Sequence, residues 1–80
     1  MEKQLNNLFK FHDVSAVCVE ADKIGSYIYF DCYLKENGKI CSILKIENEI
    51  MRFFNFSNIN IKVLPEDSVI RIESILEKNI

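Results

Sequence analysis

Residues 39–73, KICSILKIENEIMRFFNFSNINIKVLPEDSVIRIE, decide the fold. In their first half, apolar residues recur at steps of three and four, the spacing of one helical face: Ile43, Ile46, Ile50 and Phe54. In their second half, apolar residues alternate at a step of two, as they do along a half-buried strand: Ile59, Ile61, Val63, Ile70 and Ile72. The pattern predicts a helix followed by two strands, with a turn led by Pro65 between them.

The residues before this segment predict a helix and two strands. Glu2–Phe11 carries Leu5, Leu8 and Phe9 on one stripe, which indicates a short amphipathic helix. Residues 14–21 are rich in valine and alternate, so they predict a strand. Residues 22–26 supply a turn, in which Gly25 is free to take a positive φ. Tyr27–Leu34 alternates most strongly and predicts the central strand.

The Asn37-Gly38 pair is a strong signal for a tight hairpin turn. It predicts that residues 39–44 return as a third strand, antiparallel to Tyr27–Leu34. Glu47 and Glu49 suit the first turn of the following helix, which we expect to end near Asn55. Further strands are predicted over residues 58–64 and 68–73, and residues 75–80 form either a frayed helical turn or a tail.

Together these elements predict one α+β domain over residues 1–80, with the order αβββαββ. Its sheet is mostly antiparallel and two helices cover one face of it. A chain of 80 residues is near the lower limit for an independent core, since it buries only about 60% of its unfolded surface.

The charge balance bears on which partners the chain can bind. The net charge is −2, so the basic excess of an autonomous nucleic-acid binder is missing. Any contact with double-stranded DNA is therefore expected to be weak in isolation or shared among subunits. The first apolar run is interrupted by Lys10, and no stretch approaches the roughly 20 apolar residues of a membrane span. We expect a cytoplasmic protein without a membrane partner.

The residue types that carry catalysis or bind cofactors are sparse. Cys18, Cys32 and Cys41 are far apart and form no C-x-x-C pair, so they predict reduced thiols rather than a metal site. With only Gly25 and Gly38, the chain cannot form a glycine-rich phosphate loop for ATP. We therefore expect no enzyme activity, no catalytic residue, no metal and no cofactor.

Two sets of side chains are candidate contact residues. Tyr27, Tyr29 and Tyr33 share the strand face opposite the apolar one, where rigid amphipathic rings favour a protein partner. The alternative is that they line the sheet because tyrosine has high strand propensity. Four basic residues are the second set: Lys45, Arg52, Lys62 and Arg71. They are either scattered over a solvated surface, or they face DNA and act together because several copies of the chain form a ring.

Three stretches resemble the α subdomain of the FtsK/SpoIIIE-type DNA translocases, the small module that precedes their RecA-like motor. They are Leu5-x-x-Leu8-Phe9-x-Phe11-x-x-Val14-x-Ala16, Lys39-Ile40-x-x-Ile43-x-x-Ile46-x-x-Glu49-Ile50 and Leu64-Pro65-Glu66-Asp67-Ser68-x-x-x-Ile72-Glu73. The chain departs from the family pattern where Glu66-Asp67 replaces Gly-Lys, where Arg71 replaces Gly and where Tyr29 replaces Arg. Its first hairpin is also one residue shorter or lacks the Pro of the family.

The resemblance implies a non-catalytic assembly and DNA-guiding module, part of a ring above the motor domains with duplex DNA through its centre. Its partners would be the motor domain or other subunits, including copies of itself. A second hypothesis is a small stand-alone protein binder, such as a phage- or plasmid-borne inhibitor or an immunity protein, which docks through the tyrosine face. The acidic balance and the reversed charge after Pro65 favour the second hypothesis. The apolar pattern and the ending Pro65…Ser68…Ile72-Glu73 favour the first, which is the function that the sequence predicts.

Overall fold

The computed structural model describes residues 1–65 and 68–76. The elements in chain order are α1 (Glu2–Phe11), β1 (Ala16–Ile24), β2 (Tyr27–Leu34), α2 (Ile40–Lys45), α3 (Glu47–Phe54), β3 (Asn60–Leu64) and β4 (Val69–Ile75). The four strands form one antiparallel sheet in the order β1-β2-β4-β3. The predicted α+β class is confirmed. Two parts of the prediction lie outside the described residues. One is Glu66-Asp67 in the Pro-led turn, and the other is the frayed turn or tail after Leu76.

The first three elements follow the local sequence closely. α1 and β2 have the predicted bounds. β1 runs on to Ile24, beyond its predicted end, because the hairpin to β2 needs only Gly25 and Ser26 as turn residues. Gly25 has a φ of 62°, and a glycine with positive φ suits the first central position of a two-residue hairpin turn.

The predicted third strand over residues 39–44 is wrong, because Ile40–Lys45 is a helix. Asn37 does take a positive φ, but the turn packs against the start of β1 instead of reversing the chain onto β2. Gly38 N–H donates to the Lys35 carbonyl at 2.8 Å, and Lys35 N–H donates to the Ser15 carbonyl at 2.9 Å. The described chain therefore has three helices, and the order is αββααββ.

All three helices bury apolar residues against the same face of the sheet. Leu5 and Phe9 of α1, Ile43 of α2 and Ile50 of α3 are at most 1% exposed. They pack in one core with the alternate residues of β2 and β4: Ile28, Phe30, Cys32, Ile70 and Ile72. Burying one such side chain contributes about 1.5–3 kcal/mol, so the shared core holds the two layers together. Across residues 1–65 and 68–76, every helix is too short or too polar to pass through a membrane.

Asn6 of α1 covers part of the outer edge of β1. Its Nδ2 donates to the Cys18 carbonyl at 3.0 Å, and its Oδ1 accepts from Cys18 N–H at 2.7 Å. The ladder between β1 and β2 shifts register just beyond, between Cys18 and Glu20, as in a β-bulge. The amide of Asn6 thus takes the place of a strand partner, and α1 protects this edge from pairing with another strand.

The turn at Gly38 makes a testable prediction about stability. A Cβ at Gly38 would overlap the Ser15 carbonyl oxygen and stand 2.9 Å from the Lys35 carbonyl oxygen. We expect Gly38→Ala to lower the free energy of unfolding by about 1–3 kcal/mol, measured by urea denaturation, because the backbone has to move apart.

Gly25→Asn is the matched control, since no atom lies within 4 Å of a Cβ built there and asparagine tolerates positive φ. We expect this variant to lose only a few tenths of a kcal/mol. Equal losses in the two variants would show that the approach of Gly38 to Ser15 does not set the stability of this turn.

Candidate functional site

The sheet face opposite the three helices, called here the open face, is the candidate functional site. Strand alternation places on it the residues that do not point into the core. They are Val17, Glu20, Asp22 and Ile24 of β1, Tyr27, Tyr29, Asp31 and Tyr33 of β2, Asn60, Lys62 and Leu64 of β3, and Val69, Arg71, Glu73 and Ile75 of β4. The predicted tyrosines therefore share one face with two of the four predicted cations.

An ion pair lies at the centre of the open face. β2 and β4 pair Asp31 directly with Arg71, and the guanidinium binds both carboxylate oxygens, with Nε–Oδ1 at 2.7 Å and Nη2–Oδ2 at 2.8 Å. The guanidinium carbon also lies 4.7 Å from the centre of the Tyr29 ring, a cation–π distance. Hydrogen bonding to Asp31 raises the pKa of Arg71 above its ordinary value. Three side chains on two strands thus hold one another in place.

Glu73 forms a second centre on the same face. Tyr27 donates its hydroxyl to Glu73 Oε2 at 2.6 Å, while Oε1 accepts from Asn60 Nδ2 and lies 3.1 Å from Lys62 Nζ. The hydrogen bond from Tyr27 is the main cause that lowers the pKa of Glu73, and Lys62 lowers it further. The same hydrogen bond raises the pKa of Tyr27. Glu73 is therefore an anion that orients a tyrosine ring.

The three tyrosines differ in how tightly the structure holds them. The rings of Tyr27 and Tyr29 lie 6.1 Å apart, and both residues are half-buried. Burial is the main cause that raises the pKa of Tyr29, with a smaller contribution from the negative charges of Glu20 and Asp22. Tyr33 is 38% exposed at the other end of β2 and lies opposite Val17. The open face thus presents two oriented rings and one accessible ring.

The open face is acidic. Its carboxylates are Glu20, Asp22, Asp31 and Glu73, and its cations are Lys62 and Arg71. Both cations are paired, Arg71 with Asp31 and Lys62 with Glu73. Within the described residues, Glu20 and Asp22 have no cation within ion-pair distance, and they lie beside Tyr29 on β1. The surplus charge around the tyrosines is therefore negative.

The four basic residues of the predicted DNA-facing set do not come together. Lys62 and Arg71 lie on the open face. Lys45 ends α2 and Arg52 is in the last turn of α3, so both belong to the helical layer on the other side of the sheet. The sequence did not reveal the partners of Arg71 and Lys62, because Asp31 and Glu73 are distant from them along the chain. The β2–β4 register shows the contact of Asp31 with Arg71, and the β3–β4 register shows that of Lys62 with Glu73.

No family model, curated protein or solved structure matches this chain. Over the part of the chain that the structure describes, no three histidine, cysteine, aspartate or glutamate side chains are grouped as a metal ion requires. The open face itself presents aromatic rings, hydrogen-bonding groups and charged side chains.

The Asp31–Arg71 pair makes a prediction about coupling. In a double-mutant cycle with Asp31→Asn and Arg71→Gln, we expect a coupling energy of about 1–3 kcal/mol in the free energy of unfolding. The physical reason is that both side chains are mostly shielded, 13% and 30% exposed, and the contact is bidentate.

A cycle on Lys62 and Glu73 is the matched control on the neighbouring strands. Lys62 is 47% exposed and makes one contact to that carboxylate, so solvent screens the pair and we expect about 0.5 kcal/mol or less. Coupling of equal size in the two cycles would contradict the central role of Asp31 and Arg71.

Proposed function

We propose that this chain is a non-catalytic protein-binding module that docks a basic surface of another protein on its open face. The observation that carries the proposal is the row of Tyr27, Tyr29 and Tyr33 on an acidic sheet face that no described helix covers. Tyrosine combines a large apolar ring with a polar tip, and it is enriched at protein interfaces for that reason.

The contacts within the face support docking because they orient the rings before a partner arrives. Tyr27 is held by Glu73, and Tyr29 lies under the Arg71 guanidinium. Ordering a free side chain on binding costs about 0.5–1.5 kcal/mol, and prior ordering removes part of that cost. Tyr33, the most exposed ring, supplies the accessible contact.

The charge of the face supports a partner of basic character. Glu20 and Asp22 add negative charge beside Tyr29, while both cations of the face are already paired. Complementary charge raises the rate of association and excludes partners of the same sign. Lysine or arginine side chains of a partner would meet these carboxylates. We propose that this docking takes place in the cytoplasm, a reducing compartment in which an exposed free thiol such as that of Cys41 is common.

The docking proposal predicts which substitutions weaken binding. The immobilised full chain is used to capture proteins from a lysate of the source cells, the captured protein is purified, and its Kd is measured. We expect Tyr33→Ala to raise the Kd about fivefold or more, as expected for truncating a contact ring. We expect the double variant Glu20→Lys, Asp22→Lys to slow association most strongly at low salt.

Phe53→Ala is the matched control, because Phe53 is a comparably exposed ring (54%) on the helical layer. Its Kd should equal that of the unsubstituted chain. If Phe53→Ala weakens binding and Tyr33→Ala does not, the partner docks on the helices and the open-face proposal is wrong.

The second candidate is the assembly and DNA-guiding module that the translocase resemblance implies. One observation favours it: Lys62 and Arg71 lie on one face, and the Lys62 side chain is 47% exposed. Against it, phosphates would have to compete with Glu73 and Asp31 for these cations. We therefore expect fluorescence anisotropy at low salt to detect no binding of a short DNA duplex.

The charge-reversal variants Lys62→Glu and Arg71→Glu decide between the two candidates. Under the docking proposal, they bind DNA no differently from the unsubstituted chain. If the unsubstituted chain binds DNA with a clear salt dependence and either variant abolishes binding, the DNA-guiding role gains support over protein docking alone.

A further inference from the structure

Two buried cysteines face each other across the first hairpin. Cys18 of β1 and Cys32 of β2 are direct partners in the antiparallel register, and they are 1% and 0% exposed. Both belong to the core face and both are free thiols. The third cysteine, Cys41, is exposed at the start of α2 and so belongs to a different environment.

The backbone around Cys18 identifies the type of pair. Its N–H and its carbonyl both bond to the Asn6 side chain, so neither is available to β2. Cys18 and Cys32 are therefore a non-hydrogen-bonded antiparallel pair, in which the two Cα atoms are about 4.5 Å apart. A disulfide needs Cα atoms about 4.4–6.8 Å apart, and the distance typical of this type of pair falls within that range.

We propose that Cys18 and Cys32 form a reversible cross-strand disulfide that joins β1 to β2, and that the Asn6 contact limits how fast it forms. This site is independent of docking on the open face, since both thiols point into the core. In a reducing compartment the bond would be transient, as disulfides of redox-responsive proteins are.

The chemistry requires an oxidant, and a small-molecule disulfide supplies it. The Cys18 thiolate attacks one sulfur of that disulfide, forms a mixed disulfide and releases one small thiolate. The Cys32 thiol then loses its proton and attacks the Cys18 sulfur, which releases the second small thiolate. In sum, two protein thiols are oxidised to one disulfide and one small disulfide is reduced to two thiols, which take up the two protons.

The order of attack follows from the surroundings of the two thiols. A hydrogen bond with Cys32 is the main cause that lowers the pKa of Cys18, while the same contact and burial raise the pKa of Cys32. Cys18 also adjoins the irregular step of the ladder before Glu20, where local opening is easier than in a regular ladder. Release of the Asn6 hydrogen bonds would admit the oxidant at this edge.

The test uses the full chain with Cys41→Ser, which removes the exposed thiol. The folded protein is equilibrated in mixtures of reduced and oxidised glutathione and its intact mass is recorded. We expect the mass to fall by that of two hydrogen atoms, with Cys18 and Cys32 linked in a non-reduced digest. The thermal unfolding midpoint should rise, because the bond restricts the unfolded chain, and it should fall again with dithiothreitol.

Three outcomes overturn the proposal: an unchanged mass, a stable glutathione adduct as the end product, or a linked protein with a lower unfolding midpoint. Cys18→Ala and Cys32→Ala, each combined with Cys41→Ser, are the controls and should show neither the loss of mass nor the shift. Asn6→Ala tests the gating contact separately, and we expect its disulfide to form several-fold faster from the folded state. An equal rate would show that Asn6 does not limit access.

Discussion

Burial of one face of β2 is the constraint on which the rest of the structure depends. Phe30 is fully buried at the centre of the sheet, with the rings of Phe54 and Phe56 at 5.1 and 6.2 Å. Because side chains alternate along a strand, burying Phe30 places Tyr29 and Asp31 on the opposite face. A shift of one residue would exchange the two faces, so the helical layer also determines what the open face displays.

The open face shows how a small sheet keeps charges in place without a covering layer. Asp31 is 9% exposed, and an ionised carboxylate so shielded is costly unless it is paired and hydrogen-bonded. Arg71 donates to both carboxylate oxygens of Asp31. Glu73 is paired in a similar way, since one of its oxygens lies beside Lys62 and the other accepts from the Tyr27 hydroxyl. The surface that results is ordered and acidic, and this is the basis on which we propose a basic protein surface as its partner.

Asn6 links the protection of an edge strand to the environment of the buried thiols. The same two hydrogen bonds cap the outer edge of β1 and assign Cys18 to a non-hydrogen-bonded pair with Cys32. A domain of this size buries only about 60% of its unfolded surface, so one covalent link between its first two strands would add appreciably to a marginal stability. Helix α1 thereby contacts both the exposed edge of the sheet and the backbone of one of the two buried cysteines.

The local sequence was sufficient to predict helices α1 and α3, because periodicity is a property of neighbouring residues. It also predicted the bounds of β2 and which of the β2 side chains share a face. They did not determine the conformation after Asn37, since the same Asn-Gly pair serves a hairpin turn or the turn into α2. Contact of Gly38 with the distant Ser15 decided that choice. The pairing of Asp31 with Arg71, 40 residues apart, likewise depends on strand register, which only tertiary packing sets.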